Sequence, residues 1–493
     1  MRINYDETMS APGLLSSVER LNVYMVGIKG TGMAALAEIL VARGATVTGS
    51  DVEETFHTDE LLRNAGISFR EGFAGSNLRD TTPRPDLVIH SAAYDPNDHP
   101  ELLEARRLGV PIMLYTEALG RLSALCPSVG IAGVHGKTTT TALVAAIVQE
   151  LGLPGTVLAG SALAGVGGRA TLVQGNEFLV AETCEYRRHF LSFSPRAILV
   201  TSVEPDHLDY FKDGADVENA FVEYADRIAP GGSFVYCADD PGACRVAAAV
   251  ESRRSDLALL PYGLSADGPG RVHIGARGAG AVDFTIGGSP YRLRVPGDHN
   301  ALNAAGALLV SRLVAAWSGS GLSDSEFSVG AAPAIEGFRG TRRRAEFVGE
   351  AGGVIVLDDY AHHPTAIAKT LAGLRSFYPD RRIVLSFMSH TYSRTIALLG
   401  EFAQALAAAD IVILHDIYAS AREANPGDVD GEILAVATHR LNRNVHYVPG
   451  VLEALPLAER VVRSGDLFVT MGAGDNWRLG TRLLDRLRAE VAQ

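Results

Sequence analysis

Short apolar runs recur along the chain from Leu21 onward. Each is closed by glycine or polar residues and followed by a segment with apolar positions at helical spacing. LNVYMVG, rich in β-branched and aromatic residues, predicts a buried strand, and GIKGTG a turn. MAALAEILVARG predicts a helix stopped at Gly44, and ATVTGSD a second strand ending at Asp51. Strand, helix and strand make a βαβ unit, which DLVIHSAAY and VPIMLYTEALGRL extend into a small parallel α/β domain.

The pattern restarts at SVGIAGV and continues through EFLVAET, RAILVTSV and SFVYCADD, strands that each end in polar residues. A parallel sheet places its site at such strand ends. A glycine-rich stretch, GPGRVHIGARGAGAVDFTIGGSPYRLRVPG, alternates as antiparallel hairpins do, and HNALNAAGALLVSRLVAAW reads as a helix. After RGTRRRAEFVGE come four more strands, GVIVLDDY, RRIVLSF, DIVILHD and DLFVTMG, with helices between them. The expected fold is α/β: a Rossmann-like N-terminal domain (1–125), a central P-loop domain (126–336) and a Rossmann-like C-terminal domain (337–493).

Composition narrows the class. A net charge of −13 argues against a nucleic-acid partner. No apolar stretch is long enough to span a membrane, and the opening MRINYDETMSAPGLLSSVER lacks an apolar signal core, so it reads as a loosely ordered lead-in. Cys126, Cys184, Cys237 and Cys244 show no CxxC pairing and read as reduced thiols in a cytoplasmic protein. Arginine greatly outnumbers lysine, and two of the four lysines, Lys29 and Lys137, fall inside glycine turns.

The sharpest chemical signal is IAGVHGKTTTTALVAAI. Gly133 and Gly136 let backbone N–H groups close around an anion at a helix N-terminus, Lys137 reaches the outer phosphates, and the Thr138 hydroxyl suits Mg²⁺. Ile131 replaces the first glycine of the strict GxxxxGK[ST] motif, so the strand–turn–helix context carries the reading against that of a plain glycine turn. GIKGTG, from Gly27 to Gly32, is not a GxGxxG fingerprint. With Asp51 downstream it suits a dinucleotide, the pyrophosphate of another nucleotide-linked molecule, or a structural turn alone.

Glu182 in AETCEYRRHF ends a strand, where it either joins Thr138 on a metal or stays a surface carboxylate. His207 in EPDHLDYF, flanked by Asp206 and Asp209, is a metal or a structural histidine. His299, Asn300 and Asn303 open a helix, which Asp298 or Asn300 simply caps or where adenine is recognised. DDYAHHPTAI and SHTYSRT add histidines, acids and Arg394, whose fork suits a carboxylate or phosphate. Their spacing is not that of a zinc site.

Taken together, VGIKGTGMAALAEIL, VHGKTTTT, CEYRRHFLSFSP, EPDHLDYF, HNALNAAGAL, DDYAHHPTAI, SHTYSRT and MGAGDNW resemble the Mur ligases of bacterial cell-wall synthesis, in family order across all three segments. Within that family they look most like the L-alanine-adding branch. The resemblance implies an ATP-dependent ligase using Mg²⁺ or Mn²⁺ and joining L-alanine to the lactoyl carboxylate of UDP-N-acetylmuramate through an acyl phosphate. It implies a monomer or weak homodimer in the cytoplasm, with small-molecule substrates and neither nucleic acid nor membrane as partner.

By the same resemblance Gly27, Lys29, Gly30, Thr31, Gly32, Ser50, Asp51, Ser91 and Ala92 hold the UDP sugar. Gly133, His135, Gly136, Lys137, Thr138, Thr139, His299, Asn303, Arg343 and Asp359 hold ATP, with Thr138, Glu182 and His207 as the metal set. Lys137, Glu182, His207 and Arg343 carry catalysis, and His363, His390 and Arg394 face the amino acid.

Three departures stand out. DGADVENAFVEYADRIAPGG lacks the lysine that sibling ligases carbamylate, SFMSH replaces FQPH, and CEYRRHF replaces a DES-containing form. Competing readings are a recycling ligase adding a murein tripeptide, a ligase for glycine or serine, a non-catalytic UDP-sugar sensor, and a nicotinamide dehydrogenase. The last leaves the phosphate loop unexplained.

Overall fold

The computed structural model describes residues 18–160, 163, 169–207, 210–278, 280–341, 343–419 and 430–491. Residues 1–17 of the N-terminal lead-in and Asp209 lie outside the described residues. The chain forms two compact units. One runs up to Val272 and includes Asn303–Ala334; the other holds His273–Leu302 and the chain from Ile335 onward.

The first unit carries two sheets. Strands β1 (Asn22–Val26), β2 (Thr46–Asp51), β3 (Ser68–Glu71), β4 (Leu87–His90) and β5 (Ile112–Leu114) are all parallel, in the order β3-β2-β1-β4-β5. This is a doubly wound sheet whose strand order reverses between β1 and β4, where ligands bind in such folds. The turn from Gly27 follows β1, and Ser91 and Ala92 follow β4, so both expected sugar segments flank that reversal.

The second sheet comprises β6 (Ser128–Ala132), β7 (Thr156–Leu158), β8 (Thr171–Val173), β9 (Leu179–Glu182), β10 (Ala197–Val200), β11 (Ser233–Cys237) and β12 (Ala258–Tyr262). Its order is β12-β11-β10-β6-β9-β7-β8, with only β7 and β8 antiparallel. Strand β6 is central and completely buried, which explains its unbroken apolar run.

A small sheet of β13 (Val272–Gly278), β14 (Ala281–Ile286) and β15 (Ser289–Leu293) matches the alternating glycine-rich stretch, with β14 and β15 antiparallel. The second unit's main sheet comprises β16 (Glu346–Ala351), β17 (Val354–Asp359), β18 (Ile383–Met388), β19 (Ile411–Leu414), β20 (Val445–Tyr447) and β21 (Leu467–Gly472), in the order β16-β17-β21-β18-β19-β20. Antiparallel β16 edges an otherwise parallel sheet, and Asp359, Met388 and Gly472 end three neighbouring strands at one rim. Among the described residues no helix is long and apolar enough to cross a membrane.

Candidate active site

Strand β6 leads through Gly133 and Gly136 into helix Lys137–Glu150. Both glycines have positive φ, 130° and 84°, which side chains avoid. A Cβ on Gly136 would also lie 2.5 Å from Asn303 Oδ1, so this loop and the helix Asp298–Trp317 meet at van der Waals limits. The loop is pinned from β10: Val134 N donates to Ser202 O at 3.0 Å, His135 N to Ser202 Oγ at 3.0 Å, and Thr201 Oγ1 to His135 O. The first amides of the following helix have no partner within the helix, and they form the positive, anion-binding end of its dipole.

Because β9 and β10 flank β6, the residues that follow these three strands converge. Thr138 Oγ1 donates to Glu182 Oε1 at 3.1 Å, and Gly160 N donates to Glu182 Oε2 at 2.7 Å. Lys137 Nζ donates to Gly133 O and to Glu185 Oε2 at 3.0 Å. Burial alone would lower the Lys137 pKa, but the Glu185 carboxylate, helped by Cys184 and Glu182, more than offsets it and the pKa is raised.

His207, at φ 52°, joins the group through Glu185: its Nε2 lies 3.7 Å from Glu185 Oε1 and 3.9 Å from Asp206 Oδ2, with its ring 4.8 Å from that of Tyr186. His135 Nε2 is 2.5 Å from Glu204 Oε1, and Thr139 is buried in the first turn of the helix. The structure thus gathers Gly133, His135, Gly136, Lys137, Thr138, Thr139, Glu182, His207 and Asn303 around one loop.

At the first turn the side chains sort into two sets. Gly27 adopts φ 81°, Gly30 and Ala92 are exposed, and Thr31, Gly32 and Ser91 are half-buried. Lys29, which the resemblance implies at the UDP sugar, is turned inward. Its side chain has no exposed surface, and its ammonium donates to Val52 O and Glu54 O, each at 3.0 Å, and pairs with Asp59 at 3.3 Å. It braces the segment after β2 instead. Asp51 is also turned inward, accepting from Lys29 N at 2.6 Å and Val52 N at 2.8 Å. Ser50 donates to the buried Glu101.

Tyr115 lies between this turn and the carboxylate of Glu182. A Cβ on Gly32 would sit 3.0 Å from its hydroxyl, while burial and the charges of Glu182 and Cys184 raise its pKa.

In the second unit, Arg343 holds φ 58° and donates from Nε to Asp358 Oδ2 at 3.0 Å, from one terminal nitrogen to Gly474 O at 3.1 Å and from the other to Gly472 O at 2.9 Å. Its guanidinium therefore ties β17 to the end of β21. Asp359 accepts from Ala345 N and Ala361 N, each at 2.7 Å, and burial raises its pKa despite the nearby Arg344.

His363 precedes helix Pro364–Phe377 and is buried. His390 Nδ1 lies 3.3 Å from an Arg394 terminal nitrogen, with the His362 ring 5.5 Å away. His299 stands at the start of helix Asp298–Trp317, where Arg277 braces Asp298 at 2.7 and 2.8 Å. Asn300 Nδ2 donates to Pro296 O at 2.8 Å, tying the start of this helix to the segment before it.

Sequence reasoning did not single out Glu185, Tyr115 or His362. Glu185 lies in the quoted CEYRRHF and His362 in DDYAHHPTAI, but spacing alone does not show which side chains turn inward.

Models of three Mur ligase domains match this chain: the family's catalytic domain over 22–125, its middle domain over 131–311 and its glutamate ligase domain over 343–474. The UDP-N-acetylmuramate–L-alanine ligase of Treponema pallidum (strain Nichols) is 48% identical over 481 residues, covering 97% of this chain and 99% of its own. The crystal structure of the UDP-N-acetylmuramate-alanine ligase MurC of Thermotoga maritima superposes with a TM-score of 0.72 at 26% identity, covering 96% of this chain and 100% of its own. A murein peptide ligase from Psychrobacter arcticus shares the fold, with a TM-score of 0.60 at 22% identity over 95% of this chain and 98% of its own. With such identity over nearly the whole length, and with all three domain models matched in succession, the chain belongs to the Mur ligase family.

Proposed function

We propose that this protein is an ATP-dependent ligase that joins L-alanine to the lactoyl carboxylate of UDP-N-acetylmuramate in peptidoglycan precursor synthesis. The observation that carries the reading is the convergence of Lys137, Thr138 and Glu182 from adjacent strands beside a glycine loop. The sequence likeness to alanine ligases supports the choice of acceptor.

A carboxylate and an amine do not condense in water, because oxide is a poor leaving group. Phosphorylation of the carboxylate gives an acyl phosphate; the amine then forms the C–N bond as the C–O bond to phosphate breaks, leaving inorganic phosphate. This chemistry crowds anionic oxygens together, so the positive charge of Lys137 and the helix N-terminus are placed where negative charge develops. Thr138 and Glu182 offer a hydroxyl and a carboxylate within 3.1 Å, hard oxygen donors that suit Mg²⁺ or Mn²⁺. When bound, such an ion neutralises phosphate oxygens and polarises the phosphorus centre.

In this reading the segment 1–125 holds the UDP sugar, using the backbone of the Gly27 to Gly32 turn, where Gly30 is exposed, and the Ser91–Ala92 turn. Residues 126–336 hold ATP and metal through the phosphate loop, Glu182 and His207, with Asn303 against Gly136. Residues 337–493 hold the amino acid at the rim carrying His363, His390 and Arg394. Arg343 and Asp359 shape that rim through the bonds described above.

Phosphate release from ATP, assayed with UDP-N-acetylmuramate and separately with L-alanine, glycine, L-serine and L-Ala-γ-D-Glu-meso-diaminopimelate, tests the assignment. Release requiring both the sugar and L-alanine is expected. Turnover only with the tripeptide moves the protein to peptide recycling. Sugar binding with no turnover makes it a sensor.

A further inference from the structure

Glu185 has no part in the mechanism above, yet its side chain is only 3% exposed and it is the partner of the phosphate-loop lysine. Its two oxygens lie 3.0 and 3.4 Å from Lys137 Nζ, which is also folded back onto Gly133 O within its own loop. The segment carrying Glu185 is held in place. Arg187 and Arg188 both take left-handed backbone conformations, and Arg188 is clamped by Asp216 at 2.5 Å and Glu223 at 2.6 Å. On its other side Glu185 Oε1 faces His207 Nε2 at 3.7 Å. A buried ammonium without a counter-charge is strongly unfavourable, so a carboxylate at this place satisfies Lys137 before any phosphate arrives.

We propose that Glu185 is a positioning residue acting through Lys137. It is the resident counter-anion that keeps Lys137 folded in the loop when no nucleotide is bound, and it yields the ammonium to the terminal phosphate on binding. The proposal rests on the phosphate-loop reading above. An entering phosphate and Glu185 are both anionic and compete for one ammonium. Binding therefore exchanges one ion pair for another, and repulsion directs the released carboxylate toward His207. The exchange lowers nucleotide affinity, and it presents Lys137 to the phosphate from a fixed starting point.

The test uses the full-length protein and its Glu185→Gln and Glu185→Asp variants. Binding of a non-hydrolysable ATP analogue with Mg²⁺ is measured by calorimetry, and the unfolding midpoint is recorded with and without the analogue. Glu185→Gln is expected to bind the analogue about tenfold more tightly than wild type, because no internal pair has to be broken. Its midpoint falls without the analogue and returns to the wild-type value at saturation, where phosphate supplies the missing negative charge. In turnover with ATP, KM and kcat both fall. Glu185→Asp, which keeps the charge, lies between wild type and Glu185→Gln in every measurement.

Equal loss of stability with and without the analogue means a merely structural role and overturns the proposal. Unchanged or weakened analogue binding by Glu185→Gln overturns it too, and if that variant does not fold, wild-type analogue affinity in Glu185→Asp does the same. Failure of the wild-type protein to bind the analogue overturns the phosphate-loop reading itself and the proposal with it. The wild-type control separates that result from the others.

Discussion

Thr138 and Glu182 meet across 3.1 Å, hydroxyl to carboxylate, although 44 residues separate them in the chain. The contact exists because β9 pairs with β6 so that Glu182 lies beside Ile131, placing the carboxylate level with the start of the loop. If this pair holds the metal, Glu182→Gln should lower ligase turnover by about a hundredfold or more, because the amide keeps the shape but loses the charge. Thr138→Ser retains an oxygen and should cost far less than Thr138→Val. Phosphate release measured across a range of Mg²⁺ concentrations checks both; a Glu182→Gln enzyme with a wild-type Mg²⁺ dependence would rule the pair out as ligands.

Gly136 makes a separate prediction. At φ 84°, and with Asn303 Oδ1 at 2.5 Å from the place of a Cβ, Gly136→Ala meets both backbone strain and a collision. The strain alone is about 1–3 kcal/mol, and relief requires the loop or Asn303 to move. Gly136→Ala should therefore lose nucleotide binding while the UDP sugar still binds. Adding Asn303→Ala should recover part of the nucleotide affinity by removing the collision but not the strain. Calorimetry with each ligand separately reads the difference, and intact nucleotide binding in the single variant would show that the loop tolerates a side chain.

The strands that sequence made legible are those buried on both faces. NVYMV of β1, SVGIA of β6 and AILV of β10 are continuous apolar runs because helices or neighbouring layers cover both sides. Two edge strands carry no such signal: SFRE of β3 is mostly exposed, and VHY of β20 is too short to show a pattern. At the site, spacing identified the turns but not the direction of each side chain. Nothing in GIKGTG says that Lys29 points into the domain, and nothing in LDDY says that Arg343 bonds Asp358 while Asp359 caps its own turn. Glu185 escaped for a related reason. It enters a segment whose next residues break helical geometry, so no periodicity marks its inward orientation.

The buried charge of Lys29 predicts a loss of stability that a ligand-binding lysine would not produce. Lys29→Met strips Asp59 of its nearest cation and two carbonyls of their donor. Removing one member of a buried pair costs about 3–5 kcal/mol. Thermal unfolding of Lys29→Met should show an early transition, with UDP-sugar affinity at low temperature close to wild type. Lys29→Met paired with Asp59→Leu should regain stability, since no uncompensated carboxylate then remains. Normal stability of Lys29→Met together with lost sugar binding would return Lys29 to the ligand.

Glu101 gives the pH-dependent case. It is fully buried, and burial raises its pKa although Ser50, Asn77, Ala74 N and Tyr24 all donate to it. A carboxyl whose folded pKa lies above its unfolded value binds its proton more tightly when folded. Its contribution to stability is therefore complete below the ordinary glutamate range and is lost as pH rises through the folded pKa. An amide fits the same place. Oε1 takes the bonds from Tyr24 at 3.2 Å, Ala74 N at 3.3 Å and Asn77 at 2.8 Å, and the other oxygen meets only a Ser50 hydroxyl, which can turn to accept. Relative to wild type, Glu101→Gln should therefore gain stability as pH rises above about 4.5 and hold a constant lead beyond the folded pKa, with a midpoint about 2 °C higher for each ~0.5–1 kcal/mol. Unfolding midpoints of both proteins from pH 4 to 8 read the difference directly. A gap that stays constant or closes with rising pH would mean that Glu101 is ionised in the fold and that its four donors outweigh its burial.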